Sequence, residues 1–119
     1  FIGTTNLLSV KGNDNASVLY GDTAIKTEKA VTPGKEYCLS IRPECLSLSK
    51  EEMQGRVNIK VRITNQMFLG EKVRYFVKDG QDKEWIIDIF DPGRVILDGE
   101  GYAAFPPEKA WLIEDLEKA

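Results

Sequence analysis

Histidine is absent from this 119-residue chain, and cysteine occurs only at Cys38 and Cys45. Without histidine the commonest general base is missing, and with it every triad built on imidazole. Two thiols lacking a third or fourth ligand leave a zinc shell incomplete, and their spacing is not that of a CxxC pair. Two reduced cysteines holding no metal are expected, a disulfide between them being the weaker reading. Long apolar runs are also missing. The longest, near Trp85–Ile87, is far too short to cross a bilayer as a helix. No charged segment followed by an apolar one opens the chain as a secretory signal would, so the Asn15-Ala16-Ser17 sequon reads as a chance match. An excess of positive charge is lacking too: 16 Lys+Arg face 19 Asp+Glu, for a net charge of −3. A dedicated nucleic-acid binder carries the opposite balance, because neutralising phosphates supplies most of its affinity.

The nucleotide chemistries are missing as well. No GxxxxGK[ST] loop occurs, and no GxGxxG follows a strand. Gly99-Glu100-Gly101 reads as backbone geometry in a turn. Ser40, Ser47 and Ser49 lie in no GxSxG elbow, and Glu51-Glu52 falls in a polar stretch. The expectation is a non-catalytic chain that neither binds nor hydrolyses ATP.

What is present is strand periodicity. Val57, Ile59, Val61 and Ile63 alternate with Arg56, Asn58, Lys60 and Arg62, the pattern of a strand with one wet face. Val73, Tyr75 and Val77 repeat it over Glu71–Lys78. Asp79-Gly80 is a turn signal, Lys83–Phe90 returns as a strand apolar on most positions, and Asp91-Pro92-Gly93 closes it. Shorter strands are predicted at Leu7–Val10, Ser17–Tyr20, Thr23–Lys26, Glu36–Ile41, Tyr102–Phe105 and Ala110–Ile113. Ser49–Gln54 and the tail from Glu114 look locally helical. Turn signals every eight to twelve residues predict an all-β fold, a small Greek-key barrel. With 42% apolar and 29% charged residues, residues 1–119 are expected to form one soluble domain, or two very small units sharing a core. A first residue of Phe1 rather than Met points to a fragment or a processed product.

Between Tyr37 and Leu48, Arg42-Pro43-Glu44 interrupts an alternating strand. Proline has no backbone donor, so its local reading is a strand end, with Arg42 and Glu44 outward. A sharper reading comes from several short words in order. Phe1-Ile2-Gly3 followed by Asn6-Leu7-Leu8 resembles the junction at which the nucleotide-binding domain of an ABC importer ATPase passes into its C-terminal domain. Ile41-Arg42-Pro43-Glu44 resembles that family's IRPE word, and Phe68-Leu69-Gly70 its FLG segment. Phe105-Pro106-Pro107-Glu108-Lys109, with Trp111-Leu112 beyond, resembles its closing word.

The resemblance implies a TOBE-type regulatory domain, an OB-like β-barrel attached after the ATPase. Gly3, Asn6, Arg42, Pro43, Glu44, Gly70, Pro106 and Pro107 then carry over as structural or regulatory motif positions. ATP and Mg would bind the preceding domain and no cofactor would bind here. The partners implied are a second copy of the subunit, the parent's ATPase domain, the transporter's membrane subunits, and in some members a small anion or a regulatory protein. The implied location is the cytoplasmic face of the plasma membrane. Thr4-Thr5-Asn6 stands where sugar importers show Ser-Pro-x-Met-Asn, which favours the polyamine and iron types. Thr64-Asn65-Gln66 with Gly70 does not reproduce the Ser-Arg-Asn-x-Leu-x-Gly of molybdate-type domains.

Two rivals stand beside this reading. One is a free-standing OB-type binder of single-stranded nucleic acid, with Tyr75, Phe76, Trp85 and Phe90 as stacking platforms. The other is a small-ligand or anion sensor. Phe68, Phe76, Ile86 and Phe90 are the candidate homodimer surface, because Phe76 and Phe90 occupy positions where their strands otherwise present polar residues.

Overall fold

The computed structural model describes residues 4–90 and 97–114. Among these residues, ten strands form two antiparallel sheets. The first has the order β10-β4-β1-β2-β3, with β1 Asn6–Asp14, β2 Ser17–Tyr20, β3 Thr23–Lys26, β4 Glu36–Ile41 and β10 Trp111–Ile113. The second has the order β5-β9-β6-β7-β8, with β5 Ser47–Ser49, β6 Val57–Leu69, β7 Lys72–Asp79, β8 Glu84–Phe90 and β9 Glu100–Phe105. The second sheet is therefore inserted whole between β4 and β10 of the first. The architecture is all-β and OB-like, with two single 3₁₀ turns, Pro43–Cys45 and Pro107–Lys109, as the helical content among the described residues.

Alternation explains the layers. Val73, Tyr75 and Val77 of β7 are buried, while Lys72, Arg74, Phe76 and Lys78 line its other face half-exposed. The core joins both sheets: Leu8, Val18, Ile25, Leu39 and Ile41 from the first pack in one cluster with Tyr75, Trp85, Ile87 and Phe105 from the second. Trp85 is flanked by Tyr20 in an edge-on contact at 6.1 Å and by Phe105 at 6.3 Å. Such ring pairs add to the stabilisation that their buried area already gives.

Three expectations change. Ser49–Gln54 is not helical: Ser49 ends β5 and the rest is loop. The Asn58 side chain holds that loop like a strand neighbour. It accepts from the Met53 N–H at 2.8 Å and donates to the Met53 carbonyl at 2.9 Å, so tertiary pairing overrides a weak helical preference. β1 continues past the predicted end at Val10, through Gly12 to Asp14. A Cβ at Gly12 would sit 2.0 Å from the Thr32 carbonyl oxygen, so that glycine serves close strand-to-loop approach. β6 runs on past Ile63 to Leu69 through a bulge between Ile63 and Asn65. The Asp91-Pro92-Gly93 turn and the helical tail beyond Glu114 lie outside the described residues.

Candidate functional site

The chain crosses between the sheets twice, by the same device. After β4 it passes Arg42 in extended conformation and makes one 3₁₀ turn that starts on Pro43; the Leu46 N–H then bonds the Pro43 carbonyl. After β9 it passes Pro106, also extended, and makes one 3₁₀ turn that starts on Pro107; the Ala110 N–H then bonds the Pro107 carbonyl. Proline suits the first position of such a turn, where its missing N–H costs nothing and its φ is already set. Arg-Pro-Glu and Pro-Pro-Glu are thus one corner used in both directions. Pro43 is buried while Arg42 and Glu44 are exposed, so the proline holds the corner and its charged neighbours face outward.

These corners meet at a groove. β10 and β3 are the two edges of the first sheet, and the sheet curls until they face each other across a cavity of about 370 Å³. Lys26 and Lys29 enter from the β3 side, Arg42 from the first corner, and Lys109 with Trp111 from the second. Leu39, itself 1% exposed, lies at the base beside Ala110 and Leu112. Glu28 and Glu108 also line it, and Cys45 contributes a half-buried thiol. None of the four cations has an ion-pair partner among the described residues. Trp111 is 68% exposed.

Asn6 lies elsewhere and is 4% exposed. Its amide donates to the Ile41 carbonyl at 3.0 Å and the Ile86 carbonyl at 2.9 Å, and accepts from the Ile86 N–H at 2.7 Å. One side chain thereby pairs with the open edge of β8 as a strand would, and ties the two sheets together. Sequence reading missed a second tie. Asp79 accepts from the Tyr20 hydroxyl, from the Trp85 indole N–H at 2.8 Å, and from the Gln81 and Lys83 N–H groups at 2.9 and 3.0 Å. Burial pushes the Asp79 carboxyl up, but these four donations outweigh it and hold it below its ordinary range. Burial, reinforced by the same carboxylate, pushes the Tyr20 phenol well up. Both cysteines are free thiols, and burial pushes that of Cys38 up. Gly70 turns the β6–β7 hairpin at φ +74°, a conformation that favours glycine. Gly3 lies outside the described residues.

The candidate dimer residues divide between two faces. Phe76 and Ile86 are paired neighbours, and Phe90 stands opposite Lys72 on the same outer face of the β7–β8 ribbon. Phe68 pairs with Val73, which places it on the opposite face. Beyond the β6 bulge the alternation changes phase, so Met67 and Leu69 pair with Arg74 and Lys72 and join the outer face. Met67, Leu69 and Phe90 are 46%, 39% and 50% exposed. The polar members of this face are tied: Arg74 and Lys72 both bond the Asp88 carboxylate, at 2.8 and 3.1 Å, and Arg74 in particular holds that carboxyl low. The Lys72 ammonium also lies 5.4 Å from the centre of the Phe90 ring.

A family model for the TOBE domain matches residues 39–113, well over half of the chain. The chain belongs to the TOBE-domain family. The match begins on β4, runs through both corners and ends on β10, so it takes in the corners and the β10 side of the groove but not Lys26–Lys29 on the β3 side. Among solved structures, this TOBE domain is similar to the cytoplasmic molybdate-binding protein ModG in a molybdate-bound crystal form. The likeness covers 92% of this chain and 96% of ModG, with a TM-score of 0.81 at 8% sequence identity. At that identity it is a likeness of fold.

Proposed function

We propose that this TOBE domain is the non-catalytic regulatory and pairing module of an ABC importer ATPase, of the polyamine or iron type rather than the sugar type. One observation carries the reading. The words that resemble the importer family in sequence, Ile41-Arg42-Pro43-Glu44 and Phe105-Pro106-Pro107-Glu108-Lys109, form the two matched crossings and flank one groove. Asn6, from the opening word, ties the sheets beside the point where the preceding ATPase domain would attach. In this reading ATP and Mg belong to that preceding domain. Two subunits pair at the cytoplasmic face of the membrane, beneath the transporter's membrane subunits. The Phe76, Ile86 and Phe90 face supports the homodimer, since exposed apolar patches of this kind mark interaction sites and a two-fold contact needs only one self-complementary surface.

The decisive test is the coding sequence upstream of Phe1, where Walker A, signature and Walker B segments are expected; their absence removes the importer reading. On the isolated chain, sedimentation equilibrium is expected to show a concentration-dependent dimer that Phe90→Ser weakens. A strict monomer at high concentration removes the homodimer. A second reading, oxyanion binding, draws on the molybdate-bound ModG structure. Calorimetry with molybdate separates the two, saturable binding favouring the sensor.

A further inference from the structure

We infer that the groove between β3 and β10 is a binding site for a small planar organic anion: an aromatic or heterocyclic ring carrying a phosphate or carboxylate. The inference stands on the groove itself and does not require an importer ATPase as parent.

Charge is the first argument. The whole chain carries −3, yet Lys26, Lys29, Arg42 and Lys109 outnumber Glu28 and Glu108 by two around this one cavity. A concave surface with a positive excess concentrates anions. The cations are also available, because none is paired with a carboxylate among the described residues. The ribbon is the contrast, since there Lys72 and Arg74 are both engaged by Asp88.

The groove also offers an open ring. Trp111 is 68% exposed at the groove, with no ring partner and no hydrogen bond for its indole N–H among the described residues. Trp85, the other tryptophan, is fully buried and bonded to Asp79. An open indole beside guanidinium and ammonium groups offers stacking to a planar ring and charge to its anionic group. Leu39, Ala110 and Leu112 supply an apolar base.

Size is the third. At about 370 Å³ the cavity falls in the range of small-molecule sites, roughly 300–1,000 Å³. The flanking edges β10 and β3 are only three and four residues long, which is short for adding a peptide strand. A compact anion therefore fits better than an acidic peptide.

The two tryptophans make the test specific. Phenyl phosphate titrated into the ¹⁵N-labelled chain is expected to shift the Trp111 indole resonance saturably and leave that of Trp85 in place. Inorganic phosphate alone should bind about tenfold more weakly. Arg42→Gln combined with Lys109→Gln should weaken phenyl phosphate by about tenfold or more, the unmoved Trp85 resonance reporting an intact core. Trp111→Ala, followed by calorimetry, should reduce phenyl phosphate to the level of inorganic phosphate. The inference is overturned if no saturable shift occurs, if the two phosphates bind equally, if the charge variants bind as the parent does, or if a glutamate-rich peptide binds more tightly than phenyl phosphate.

Discussion

Two buried side chains hold the sheets together from different places, and they use different chemistry. Asn6 bridges β1 to the edge of β8 with a neutral amide that gives and receives bonds. Asp79 bridges β7 to Tyr20 of β2 and to Trp85 with a carboxylate that only receives them. The amide copies a strand and is indifferent to protons. The carboxylate gathers four donors, two of them from its own turn, so the same group closes the β7–β8 hairpin and joins the sheets. A neutral tie and a charged tie in one small barrel separate what geometry contributes from what charge contributes.

The largest effect expected is from Asp79→Ala. It strands the Tyr20 hydroxyl and the Trp85 indole N–H in the core, and urea unfolding should show a loss of about 3 kcal/mol. Asn6→Ala leaves the Ile86 N–H and C=O unpaired at a half-covered edge, for a loss of about 2 kcal/mol by the same measurement. The pH response sharpens the contrast. A carboxyl held below its ordinary value of 3.8 in the folded state gives up protons more readily folded than unfolded. Its stabilisation is complete above that value and is lost as pH falls through the lower, folded one. Thermal unfolding of the parent and of Asn6→Ala should therefore weaken in parallel on acidification through that window. Asp79→Asn should show a shallower acid slope, the remainder coming from Asp88 and Asp14, whose carboxyls are also held low. The smallest effect is expected from Trp111→Ala, within about 0.5 kcal/mol, since that ring is exposed and has no ring or hydrogen-bond partner among the described residues. A larger loss would mean that the indole supports the fold rather than a ligand.

Strand existence was legible in the residues. Ser17–Tyr20, Thr23–Lys26 and Glu36–Ile41 stand where they were predicted, because each follows a turn signal bearing asparagine, glycine or proline. The share of β6 in the outer face of the ribbon was not legible. Continuing the alternation of Val57 to Ile63 puts Met67 and Leu69 inside, and only the bulge between Ile63 and Asn65 reverses their side. A bulge leaves no fixed residue signature, yet changes the face of everything beyond it. Asp79 was read for its turn with Gly80, which it makes; its reach to Tyr20 depends on how the sheets pack. The groove was the least legible feature. Its cations come from three separate stretches of a chain with an acidic total, and composition averages them away. What did point to it was the pair of proline-bearing words at its rim.

The nesting of the second sheet inside the first also sets an order of events. Leu39 of β4 waits for Leu112 of β10, and every strand of the inserted sheet lies between them. During synthesis, β1 to β3 can associate early by local hairpins and β4 can then add to β1, while the edge that β10 will cover stays open until β5 to β9 have left the ribosome. Pairing over such a separation is the slow kind, because loop closure must precede its reward. A nascent chain halted before Trp111 would thus present a free β4 edge to other chains, the condition under which β-proteins aggregate.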